Sequence, residues 1–111
     1  MNTLTLGERA IELDKDGYLV DLADWSAEVA EALAATEELE LGPEHWEIIE
    51  LLQAFYREFQ LSPATRPLIK YTALKLGPDK GNSLHLNRLF KGTPAKLAAK
   101  LAGLPKPTNC L

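Results

Sequence analysis

A mainly α-helical fold is predicted, a small helical bundle with an N-terminal β-hairpin and a flexible C-terminal arm, and three observations carry it. Apolar residues recur at spacings of three and four through most of the chain, in stretches opened by proline or a small polar residue. Period-two alternation is confined to the first twenty residues. The last stretch, Gly103-Leu104-Pro105-Lys106-Pro107-Thr108-Asn109-Cys110-Leu111, has two prolines and no periodicity. Together they describe one domain over residues 1–111, with residues 103–111 as a mobile arm.

The alternation lies in Thr3-Leu4-Thr5-Leu6 and Ala10-Ile11-Glu12-Leu13, and Asp14-Lys15-Asp16-Gly17 reads as a turn before Tyr18-Leu19-Val20, which makes a small β element. Asp21 to Asp24 leads into a first helix carrying Trp25, Val29 and Leu33 at spacings of four. The second runs from Pro43 to about Phe59, with Pro43 at its first position and Glu44 and Glu47 complementing its dipole. Ile48, Leu51, Leu52, Phe55 and Phe59 form one stripe, so this is the expected central core helix.

Ser62-Pro63 opens a third helix through Leu68, Ile69, Tyr71, Leu74 and Leu76, and Pro67 requires either a start near Thr65 or a bend. Gly81-Asn82-Ser83 caps a short fourth, and Thr93-Pro94 starts the fifth, with Leu97, Ala98, Leu101 and Ala102. Gly103 suits the left-handed residue that ends a helix, and Pro105 and Pro107 prevent its continuation. The arm is therefore expected to leave the body at Gly103 as a stiff, protruding tail.

A length of 111 residues, 46% hydrophobic and 25% charged, suits one soluble globular core. Met1-Asn2-Thr3-Leu4-Thr5 lacks the basic segment and apolar run of a signal peptide, and no stretch is apolar enough to span a bilayer, so a cytoplasmic protein without a membrane partner is expected. The net charge of −4 conceals a strong polarity. Residues 1–60 hold 3 basic and 15 acidic side chains, whereas residues 61–111 hold 9 basic and 1 acidic, net −12 against +8. The basic half suits an acidic protein patch or RNA; pairing with the acidic half is the plainer use of most of its charges.

Cys110 is the only cysteine, and it is penultimate. A packing thiol normally sits in a core, whereas chain ends are usually solvated, so Cys110 is placed to react, and with no second cysteine it reacts only with another molecule. An incidental cysteine on an ordinary tail is the alternative. Lys106, four residues earlier, favours the thiolate, and the terminal carboxylate of Leu111 opposes it. Arg66 and Lys70 are candidates for an electropositive docking surface. Neither His45 nor His85 has metal-ligand spacing, so no metal or cofactor is expected. The two basic helices at the end also admit a helix-turn-helix reading, hence a nucleic-acid-binding regulator.

Ordered blocks along nearly the whole chain resemble the DsrC/TusE family of sulfur-relay proteins: Asp16-Gly17-Tyr18-Leu19, Trp25-Ser26, Pro43-Glu44-His45-Trp46-Glu47, Phe55-Tyr56, Ser62-Pro63-Ala64-Thr65-Arg66, Lys80-Gly81-Asn82-Ser83, Leu89-Phe90, and Ala102-Gly103-Leu104-Pro105-Lys106-Pro107 before the penultimate cysteine. The terminal block is the specific one. The resemblance implies a helical bundle with an N-terminal hairpin and a mobile arm. Members tied to dissimilatory sulfur metabolism carry a second arm cysteine, at the position that is Ala99 here, so the chain resembles the single-cysteine, TusE-like branch rather than a DsrC-like partner of a sulfite reductase. That branch implies a sulfurtransferase of carrier type: Cys110 accepts a persulfide sulfur from a TusBCD-type donor complex and relays it to the tRNA 2-thiouridylase, with tRNA bound, for 2-thiolation of wobble uridine.

Overall fold

A computed structural model describes residues 2–107 and contains, among them, one two-stranded antiparallel sheet and five α-helices, as the sequence predicts. Strands β1 (Asn2–Leu6) and β2 (Arg9–Leu13) pair from Asn2 with Leu13 to Leu6 with Arg9. A register closing on Leu6 and Arg9 leaves Gly7 and Glu8 as the turn, and only Gly7 has positive φ (63°), as a type II′ hairpin requires. The Asp14–Gly17 turn is also present, held by the Asp14 carboxylate, which accepts from the Asp16 and Tyr18 amides at 2.8 and 3.0 Å. The chain beyond it returns to the sheet only as an isolated bridge between Leu13 and Leu19.

Trp25 does not lie in the first helix. A single 3₁₀ turn (Leu22–Asp24) precedes it, and α1 spans Ala27–Thr36 with Ser26 as N-cap, its hydroxyl accepting the Val29 amide at 3.2 Å. Helix α2 (Pro43–Phe59) has the predicted bounds. Its N-cap, Gly42, has no side chain to offer, and instead His45 Nδ1 accepts the Gly42 amide at 3.0 Å. That bond leaves the imidazole proton on Nε2, which donates to the Leu89 carbonyl at 3.0 Å and ties α2 to the end of the fourth helix. Ile48, Ile49 and Leu52 are fully buried, each worth about 1.5–3 kcal/mol of transfer free energy, whereas Phe59 is 48% exposed and ends the stripe at the surface.

Helix α3 (Thr65–Leu76) starts at Thr65, which places Pro67 in the first turn, where a missing N–H leaves no bond unmade. Helices α4 (Ser83–Leu89) and α5 (Pro94–Leu101) follow. The geometric centre is α5, not α2: it packs against α1, α2, α3 and α4, and Pro94, Ala95, Leu97, Ala98, Ala99 and Leu101 are all buried. Its alanines admit neighbours on several sides at once, which a stripe of large residues does not. No helix is long and apolar enough to cross a membrane among the described residues.

Candidate functional site

The residues singled out around the arm fall at one edge of the bundle, where the chain leaves α5. The helix ends in a Schellman motif: Gly103, at φ +77°, donates to the Lys100 carbonyl at 3.2 Å, and the Leu104 amide reaches the Ala99 carbonyl at 2.9 Å. Gly103 also packs closely against Trp25. A β-carbon there would meet Trp25 Cδ1 at 2.5 Å, so two constraints select glycine.

The arm does not depart at Gly103. Leu104 and Pro107 are buried, and only Pro105 and Lys106 are exposed. Four distant side chains hold this stretch. Trp25 Nε1–H donates to the Leu101 carbonyl at 2.8 Å, and Gln53 of α2 donates to the Ala102 carbonyl at 3.0 Å. These satisfy carbonyls that the helix end would otherwise leave orphaned. Further out, the Ser62 hydroxyl donates to the Pro105 carbonyl at 2.6 Å, and Lys106 Nζ lies 3.4 Å from the Asp16 carboxylate.

Lysines gather beside this root. Lys96, Lys100 and Lys106 line one surface groove with Asp16, Tyr18 and Glu37. Lys100 is committed to the body: it pairs with Glu37 at 3.0 Å and sits 5.4 Å from the centre of the Tyr18 ring. The Tyr18 hydroxyl in turn donates to the Lys96 carbonyl at 2.8 Å, fixing the Asp14–Gly17 turn against α5. Lys96 is exposed.

Of the predicted site residues, Gly103, Pro105, Lys106 and Pro107 are thus together at the arm root. Arg66 and Lys70 stand exposed, one turn apart on α3, and so share a face. Cys110 lies outside the described residues. Ala99 is fully buried in α5. The helix-turn-helix reading does not survive the packing: with six of its eight residues buried, α5 has no face to lay in a groove of DNA. His85 Nε2 sits 3.6 Å from a Glu44 oxygen, and among the described residues no group of three or more His, Cys, Asp or Glu side chains could hold a metal.

Asp16, Trp25, Gln53 and Ser62 were not recognised as arm contacts from the sequence. A signal existed, since Asp16-Gly17, Trp25-Ser26 and Ser62-Pro63 are three of the blocks that carry the family resemblance, and the structure brings all three to the arm root.

Comparison with known proteins agrees with this architecture. A "Sulfurtransferase TusE homolog" from Haemophilus influenzae is 52% identical over 101 residues, 91% of this chain and 93% of that one. "Sulfurtransferase TusE" from Escherichia coli is 48% identical over 103 residues, covering 93% and 94%. Among solved structures, Allochromatium vinosum DsrC matches with a TM-score of 0.89 at 45% identity over 99% of this chain and 98% of its own. The oxidised gamma-subunit of the dissimilatory sulfite reductase (DsrC) from Archaeoglobus fulgidus matches with a TM-score of 0.84 at 38% identity, covering 99% and 100%. The family model described as "DsrC like protein" matches residues 5–111, from the end of β1 through all five helices to the cysteine-bearing terminus, and the chain belongs to that DsrC-like family.

Proposed function

We propose that this protein is a sulfur carrier, a sulfurtransferase whose Cys110 takes a sulfane sulfur from a protein persulfide and passes it on toward 2-thiolation of tRNA wobble uridine. The observation that carries the reading is near-half identity, along almost the full length, to relatives named as TusE sulfurtransferases, in a chain whose single thiol is its penultimate residue. In the first step the Cys110 thiolate attacks the outer sulfur of the donor persulfide. The donor's S–S bond breaks, a new one forms on Cys110, and the donor leaves as a thiolate, so the sulfur keeps its oxidation state and no oxidant is consumed. Attack by an acceptor thiolate on the Cys110 persulfide repeats the exchange and regenerates the carrier. A TusBCD-type complex is the donor this reading requires, and the tRNA 2-thiouridylase with bound tRNA stands at the far end of the relay.

A DsrC-like role beside a sulfite reductase needs two arm thiols in the scheme the resemblance implies. Ala99 stands where the second would be. Intact mass spectrometry of protein purified without reductant tests the carrier reading: one added sulfur, removed by dithiothreitol and absent from Cys110→Ser, is expected. An unmodified thiol after incubation with a persulfidated donor would sink it.

Docking follows from the charge polarity. Ser62 holds Pro105, and α3 begins three residues later, so Arg66 and Lys70 lie on the helix entered directly from an arm contact. They suit an acidic donor patch. Arg66→Glu with Lys70→Glu is expected to lower kcat/KM for a protein donor by about tenfold at low salt and to flatten its salt dependence, because exposed charges act mainly through screened steering. The rate with iodoacetamide stays unchanged, since that reagent needs only access to the thiol. Stopped-flow transfer at several ionic strengths checks this, and an unaltered salt slope would remove the pair from the docking surface.

A further inference from the structure

The arm root is held in two tiers of different character. The inner tier, residues 101–104, is buried and fastened by the Schellman bonds, Trp25 and Gln53. It is part of the fold. The outer tier is the exposed pair Pro105 and Lys106, gripped by Ser62 from the loop before α3 and by Asp16 from the turn after the hairpin.

Packing does not explain the outer tier, because exposed residues gain little by being held. Its effect is on direction. The rings of Pro105 and Pro107 lock two φ angles, Lys106 is confined to extended backbone by the proline that follows, and the Ser62 bond fixes the peptide plane after Pro105. With Lys106 also drawn to Asp16, little freedom remains before Pro107. Cys110 is the third residue after Pro107 but the sixth after Leu104.

We propose that Asp16 and Ser62 are positioning residues for sulfur transfer, fixing the path along which the chain is presented to the protein donor. The inference rests on the carrier reading given above. Pro107 is itself buried, so without both contacts the stretch between Leu104 and Pro107 is tethered only at its ends, and the direction in which the chain reaches Pro107 is less tightly fixed. That weakens the bias against unproductive directions, and the loss expected is about three- to tenfold.

The test uses the full chain and two donors, a persulfidated protein donor and glutathione persulfide. In Asp16→Asn with Ser62→Ala, KM for the protein donor is expected to rise about three- to tenfold with kcat within twofold, while uptake from glutathione persulfide stays within twofold. Asp16→Glu and Ser62→Thr, which keep the carboxylate and the hydroxyl, are expected to restore KM. The Lys106 amide resonance of the free protein should shift in the double variant while that of Leu104 holds, a readout that needs no donor. An unchanged KM in a protein that does take up sulfur overturns the positioning role alone, as does an equal loss with both donors. Failure of the parent to take sulfur from either donor, with normal amide spectra, overturns the carrier reading and this role with it.

Discussion

Cys110→Ser is expected to melt with the parent protein and to transfer no sulfur. The two halves of that result come from different parts of the molecule. The contacts that fasten the described end of the chain act on Leu101, Ala102 and Pro105, and the buried core runs from Leu4 to Leu104. A substitution at residue 110 removes none of these contacts, and substitutions that break no such feature usually alter stability by no more than about 0.5 kcal/mol. In the proposed carrier, transfer depends on a thiolate attacking sulfur, for which a serine hydroxyl, not ionised near neutral pH, is no substitute. Thermal melts and the formation of 2-thiouridine in cells lacking the native protein separate the two. Thiolation supported by the serine variant would show that the sulfur travels by another residue.

Strongly periodic elements with explicit punctuation were legible in advance. Helix α2 was readable at both ends because Pro43 marks its first turn and a stripe of large apolar residues fills its length. The errors have specific causes. Trp25, Val29 and Leu33 stand at spacings of four, so Trp25 mimics the first member of a helical stripe; Ser26 between them is the true cap, and Trp25 instead faces the far end of the chain at Leu101 and Gly103. Helix α5 was underrated because alanine contributes little to an apolar stripe, yet small side chains let four helices converge on it.

The site divides in the same way. Cys110 was conspicuous by its type and position, and Gly103 by the rules for helix ends. The hold on residues 101–106 was not. Its partners lie 43 to 90 residues away along the chain, and a segment of Gly, Pro and Lys looks locally like one that leaves the surface. Only tertiary packing reveals that Leu104 and Pro107 have somewhere to be buried.

Gly103→Ala should be the most destabilising small substitution at the arm root. Left-handed backbone costs a non-glycine residue about 1–2 kcal/mol, and forcing a methyl group into a packed contact costs about 1–3 kcal/mol more. Both apply at once, at φ +77° and 2.5 Å from Trp25, so a loss of about 2–5 kcal/mol is expected. Against a total stability of roughly 5–15 kcal/mol this is a large share, visible as a fall of about 10–25 °C in Tm. Gly7→Ala separates the two causes, because Gly7 has positive φ (+63°) with open space around it and should show the conformational cost alone. A double-mutant cycle with Trp25→Ala isolates the contact: if the indole is what the methyl strikes, Gly103→Ala should cost about 1–3 kcal/mol less when Trp25 is already alanine. Equal costs in both backgrounds would assign the loss to the backbone, and a fully tolerated Gly103→Ala would mean that the chain can leave α5 by a route other than the Schellman turn. That route would undo the geometry that delivers Pro105 to Ser62 and Lys106 to Asp16, so transfer from a protein donor should fall in Gly103→Ala even at temperatures where the variant remains folded.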